Sequence, residues 1–137
     1  MLVSKHAPYH WRERLCQMLL IPVKPEVMRF FEAMSYAEGT LAYGATGGPQ
    51  NNPLNTTYPM PWSDDWNSVG VKNYDSVVEG ICATASTFAR DPRYLDWWKD
   101  MQKNVYTAEE LVERNREAIH TWGTDPDVIL RVLKVGP

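Results

Sequence analysis

Apolar residues recur at helical spacing along most of the chain, and the period lapses between residues 39 and 70. Trp11, Leu15, Met18 and Leu19 predict a helix over residues 8–20, with Pro8 in its first turn. Pro22 and Pro25 frame a short connection. Val27, Phe30, Phe31 and Met34 share one face of a second helix from Pro25 to about Glu38, and Gly39 is the expected stop. Beyond the lapse, Ser76-Val77-Val78-Glu79 has the capping-box pattern. Val77, Ile81, Ala85 and Phe88 then form the stripe of a helix ending near Arg90. Asp91-Pro92 opens a helix carrying Leu95, Trp98 and Met101. Thr107-Ala108-Glu109-Glu110 caps another, with Leu111, Asn115, Ala118, Ile119 and Trp122. Asp125-Pro126 opens a last short one with Val128, Ile129, Val132 and Leu133. The expectation is a mostly α, α+β domain of five to six helices around one irregular β/loop insertion.

That insertion, residues 39–74, is the unusual part. Ahead of Gly70 it holds four of the eight glycines and four of the ten prolines, with the turn dipeptides Gly47-Gly48 and Asn52-Pro53. One short hairpin is expected near residues 55–73. A loop of this length inside a compact domain points to function, so a site is expected where the insertion meets the helices.

Composition and charge narrow the choices. A chain of 137 residues fits one domain over 1–137 and needs no metal or disulfide staple. A net charge of −3 argues against a nucleic-acid footprint and against a basic membrane-surface helix. The apolar run at Leu19, Leu20 and Ile21 stops at Pro22, too short for membrane insertion. Glu13 and two arginines precede it and no small-residue cleavage site follows, so no signal peptide is expected and synthesis is expected in the cytosol. Cys16 and Cys82 lack metal spacing and read as packed free thiols. Thirteen of the sixteen aromatics are Trp or Tyr, residues suited to sugar-stacking clefts and interfaces as well as to cores.

Glu38 is the informative acid. At about 100° per residue it falls in line with Val27, Phe31 and Met34, at the last turn of its helix, facing the core and the start of the insertion. Desolvation and the C-terminal end of the helix dipole both raise the pKa of a carboxyl so placed. It reads as either a general acid for glycosidic-bond cleavage or a buried anchor for loop backbone amides. Asn51-Asn52-Pro53-Leu54-Asn55-Thr56-Thr57 follows, whose amides and hydroxyls suit turn-capping or sugar hydroxyls. Trp62 and Trp66, with Tyr58, are candidates for sugar stacking; Trp97-Trp98 reads as core plus rim.

The ordered set Ala37-Glu38-Gly39, Asn52-Pro53-Leu54-Asn55-Thr56-Thr57, Asn67-Ser68-Val69-Gly70-Val71-Lys72-Asn73-Tyr74, Gly80 and Ala83-Thr84 resembles lysozyme-like domains of actinobacteriophage lysins and tail-associated proteins. The order is similar to a shortened glucosaminidase or lytic-transglycosylase plan. The resemblance covers about residues 11–95, and Trp122-Gly123-Thr124 is similar to a tail feature of the same domains. It implies a lysozyme-like fold and cleavage of peptidoglycan glycan strands without a cofactor, with Glu38 as the acid. It also implies that Asn52, Asn55, Asn67, Asn73 and Tyr74 shape or line the cleft. Other phage tail proteins are implied as further partners. The implied location is the phage tail or the host cell wall, after synthesis in the host cytoplasm. The chain departs from the pattern in a longer stretch between Glu38 and Asn52, and in Trp62-Ser63-Asp64-Asp65 where a Gly-containing turn is expected.

Hydrolysis by two carboxylates needs a partner about 5–10 Å from the acid. Asp64 and Asp65 are the candidates, with solvated turn aspartates as the other reading; Asp75 is expected to cap the helix near Ser76. A single acid suffices in lytic transglycosylases, where the sugar's own hydroxyl closes an anhydro ring. His6 and His10 have i,i+4 spacing, but Pro8 intervenes and no third ligand is near, so no metal site is expected. The rival expectation is a virion structural protein that keeps the fold without the chemistry.

Overall fold

The computed structural model describes residues 10–39 and 48–137. Among these, the helices are α1 (Trp11–Leu19), α2 (Pro25–Ala37), α3 (Val77–Arg90), α4 (Leu95–Lys103), α5 (Ala108–Arg114), α6 (Arg116–Trp122) and α7 (Pro126–Val135). A 3-10 turn, Pro92–Tyr94, leads into α4. Strands β1 (Asp64–Asp65) and β2 (Lys72–Asn73) pair antiparallel, Asp64 opposite Asn73 and Asp65 opposite Lys72. The protein is therefore mostly helical with one small sheet, and its short hairpin, over residues 64–73, lies within the 55–73 stretch where one was expected.

Local chemistry sets most boundaries. Ser76 Oγ accepts from the Glu79 N–H at 3.1 Å, so Ser76, not Asp75, caps α3. Thr107 and Glu110 make a complete reciprocal capping box on α5. Asp125 Oδ1 accepts from the Asp127 N–H, and Pro126 follows in the first turn of α7. Helix α1 begins at Trp11 rather than residue 8; Pro8 and His6 lie outside the described residues.

Helix α2 is central. It packs on α1, α5 and α7, and buries Val27, Phe30, Phe31 and Met34 as its periodicity requires. Helix α1 lays Trp11, Leu15 and Leu19 on this core but turns Met18 outward. The aromatic centre is Phe88, whose ring centroid lies 4.7 Å from both Trp97 and Trp122. Such pairs add about 0.5–1.5 kcal/mol each beyond area burial.

Two expectations are corrected. The buried face of α4 carries Trp97 and Met101, in phase with Tyr94; Leu95 is 40% exposed and Trp98 is half-buried. The 3-10 turn ahead of α4 sets this phase, which the apolar count along 95–101 cannot register. The single helix expected over 107–122 is two. At Asn115 (φ −126°) the side-chain amide donates to Leu111 O at 2.8 Å and to Asp100 Oδ2 at 3.2 Å, taking up a carbonyl that helix continuation would use. Among the described residues, seven helices thus replace the five to six expected. No helix among the described residues is long and apolar enough to cross a membrane.

Candidate functional site

Glu38 caps the C-terminus of α2, with its N–H on Met34 O at 2.9 Å, and Gly39 at φ 81° ends the helix. The residue is half-buried. Both carboxyl oxygens are engaged. The Thr124 hydroxyl bonds Oε1, and Asn55 Nδ2 donates to Oε2 at 2.8 Å. The same Asn55 nitrogen donates to the Glu38 carbonyl at 3.1 Å, satisfying one of the orphan acceptors at the helix end. Burial pushes the Glu38 pKa up, and the bonds from Thr124 and Asn55 pull it only partly back. The anchor reading is met in a different form: a hydroxyl and a side-chain amide take the carboxyl, not loop backbone amides.

The partners of Glu38 arrive from distant segments. Thr124 is buried, and its N–H bonds Ile119 O at 3.2 Å. Gly123 ahead of it sits at φ 109°, a conformation that costs glycine nothing, and so turns the chain from α6 toward Glu38. Trp122 Nε1 donates to Leu54 O at 2.8 Å, fixing the residue before Asn55. Trp122-Gly123-Thr124 therefore clamps the insertion from the far side.

The rest of the asparagine set builds the insertion. Asn52 is fully buried; its Nδ2 donates to Thr56 O at 2.9 Å and Lys72 O at 2.8 Å, and its Oδ1 accepts the Thr56 N–H. Asn67 Oδ1 accepts the Val71 N–H within the hairpin connection. Asn73 Oδ1 accepts the Gln50 N–H at 2.8 Å. Tyr74 is buried with its hydroxyl on Tyr58 O at 2.5 Å, and burial pushes its pKa up. Of the expected cleft residues, Asn55 touches Glu38, whereas Asn52, Asn67, Asn73 and Tyr74 hold loop backbone. Gly80 is held by close approach: a Cβ there would lie 1.8 Å from Asn51 O.

Asp64 and Asp65 are exposed on β1. Asp64 Oδ1 accepts from Asn73 Nδ2 at 3.0 Å, and Asp65 pairs with Lys72. They bond across the hairpin and not to Glu38. Trp62 is 78% exposed and Trp66 43%, both on the hairpin side of the insertion. Tyr58 lines a groove of about 560 Å³ with Thr57, Pro59, Ser86, Thr87 and Arg90, closed by Asp91-Pro92-Arg93. Trp97 is core and Trp98 rim; Trp98 Nε1 donates to Leu19 O at 2.7 Å. No group of three His, Cys, Asp or Glu able to hold a metal occurs among the described residues.

Sequence reasoning missed Thr124 as a partner of Glu38. Its signal was the isolated Trp122-Gly123-Thr124 tail feature, which carried no role by itself. It also missed the contribution of Ser86, Thr87 and Arg90 to the Tyr58 groove, because helical periodicity marks those positions merely as off the apolar stripe. No protein-family model, no curated protein and no solved structure matches the chain.

Proposed function

We propose that the chain is a lysozyme-like, phage-borne enzyme that cleaves the glycan strand of peptidoglycan, with Glu38 as general acid. The observation that carries this reading is the state of Glu38: a half-buried carboxyl with a raised pKa, gripped at both oxygens, where a helix end meets a long insertion. Asn55 Nδ2 can only donate, so Oε2 stays an acceptor. The Thr124 hydroxyl can donate to Oε1 or accept from it, so Oε1 can carry the acid's proton without losing this contact. The protonated acid would deliver that proton to the glycosidic oxygen as the bond to the sugar's anomeric carbon breaks.

Asp64 and Asp65 bond to Asn73 and Lys72, so the reading that fits best uses one acid. The sugar's own hydroxyl then attacks the anomeric carbon, as in a lytic transglycosylase, and its proton returns to the Glu38 carboxylate. Such an enzyme would work at the host wall, delivered there or carried in the tail.

One observation favours a second reading. Both Glu38 oxygens are used within the fold, as in a purely structural tie between α2, the insertion and the α6–α7 connection. The protein would then be an inactive virion component that binds wall or other tail subunits.

Turbidity of actinobacterial peptidoglycan separates the two, with wild type and Glu38→Gln assayed from about pH 4.5 to 7.5, the range for a carboxylic acid of raised pKa. Clearing by wild type and not by Glu38→Gln supports the enzyme, and anhydro-sugar products support the single-acid route. No clearing from folded protein at any pH overturns it; recovery from purified virions at fixed stoichiometry then supports the structural reading.

A further inference from the structure

The indole Nε1 of Trp97 is buried and has no hydrogen-bond partner among the described residues. The indoles of Trp98 and Trp122 each donate to a carbonyl, Leu19 O and Leu54 O. A buried donor left unpaired is costly and rare in folded proteins. Trp97 also lines a groove of about 400 Å³, between the 3-10 turn and α4 on one side and α6 on the other. That volume is in the range of small-ligand sites.

The charges on this groove are unequally matched. Arg93 is committed to Asp91, with Nη2 on Oδ2 at 2.7 Å, and Arg114 to Asp100, with Nε on Oδ2 at 2.9 Å. Asp96 and Glu117 line the same groove, are exposed, and make no ion pair among the described residues. Two arginines already matched by carboxylates, beside two unmatched carboxylates, leave the lining net negative.

The groove therefore suits a ligand with two features. One is an acceptor for the Trp97 N–H, and the other is a cation for Asp96 and Glu117. A lysine within a peptide carries both, a backbone carbonyl and an ammonium at the end of an apolar stem. Pro92 and Ala118, also in the lining, give that stem apolar cover.

We propose that this groove binds a lysine-bearing peptide segment, with a peptide carbonyl on Trp97 Nε1 and the ammonium held by Asp96 and Glu117. The inference goes beyond the reading of Glu38 and does not depend on it.

Binding is read on wild-type protein from the indole N–H signals in nitrogen–proton spectra. The Trp97 signal is assigned through its contacts to the rings of Phe88 and Tyr94. The probes are N-acetyl-lysinamide and N-acetyl-norleucinamide, which keeps the stem and the carbonyls but lacks the charge. The lysine probe should move the Trp97 signal downfield and saturably, and bind several-fold more tightly than the norleucine probe. Asp96→Asn and Glu117→Gln should each weaken the lysine probe about threefold and leave the norleucine probe unchanged. Ala118→Leu, which fills the groove from its lining, should abolish the Trp97 shift. A Trp97 signal that does not move, or equal affinity for the two probes, overturns the site. A persistent contact between the Trp97 N–H and a bound water at saturating lysine probe also overturns it, because the donor then belongs to the water.

Discussion

Thr124 and Glu38 stand 86 residues apart in the chain, and the Thr124 hydroxyl bonds Oε1 of the Glu38 carboxyl. The bond joins the α6–α7 connection to the C-terminal end of α2. A hydroxyl can donate to a carboxylate or accept from a carboxylic acid, so this contact survives a change in protonation. Both contacts favour the ionised form on balance, Thr124 more than Asn55, which can only donate to Oε2.

Thr124→Val should therefore raise the Glu38 pKa further, because it deletes a bond that lowers it while keeping the shape. If Glu38 is the proposed general acid, it acts while protonated, so the alkaline limb of a wall-clearing profile should move to higher pH. The substitution should also cost about 1–2 kcal/mol of stability for the lost bond. A limb that stays put or moves to lower pH refutes the assignment.

Glu38→Gln keeps both contacts, since its carbonyl can face Asn55 and its amide can donate to Thr124. Its stability relative to wild type should depend on pH. The folded pKa of Glu38 lies above its ordinary 4.5, so the wild-type carboxyl contributes most below that value. The contribution is lost as pH rises through the raised folded pKa. Thermal melts at about pH 4 and pH 7.5 should show wild type losing ground to Glu38→Gln at the higher pH. Wild type gaining ground would contradict the raised pKa.

Gly80→Ala should destabilise by about 2–3 kcal/mol or more, because the new methyl would sit 1.8 Å from Asn51 O and backbone must move. Denaturant melts give the cost. A near-neutral result would mean that residues 50–52 do not pack on α3 this closely.

Trp122→Phe retains an aromatic ring against Phe88 but removes the donor to Leu54 O. The loss should be about 1–2 kcal/mol. Under the proposed enzyme reading, wall clearing should fall further than the melting shift explains, because Leu54 positions Asn55.

Cys16 is fully buried and its thiol is pushed up to about 12, first by desolvation and then by Glu13. Cys82 is half-buried, its thiol beside the Met18 sulfur at 3.8 Å. A thiol reagent at mildly alkaline pH should modify Cys82 and leave Cys16 untouched until the protein unfolds. Rapid modification of both in native protein would show that the α1 core face is open.

The helix starts at Ser76, Thr107 and Asp125, the buried face of α2 and the position of Glu38 on it were all legible in the sequence. Caps act within three residues, and a helical stripe is a property of one segment, so local chemistry suffices to specify them. Tertiary structure decided the rest. Asn115 breaks a helix because its amide reaches both Leu111 O and Asp100. Trp97 rather than Leu95 and Trp98 faces the core because the preceding 3-10 turn sets the rotation of α4. Asp64 and Asp65 are satisfied across the hairpin by Asn73 and Lys72. Glu38 is held by Asn55 and Thr124 because Gly123 and Trp122 bring a late segment onto the insertion. Periodicity records which side of a helix is apolar; it carries no term for which distant side chain meets that side, and the partners that set the protonation of Glu38 come from there.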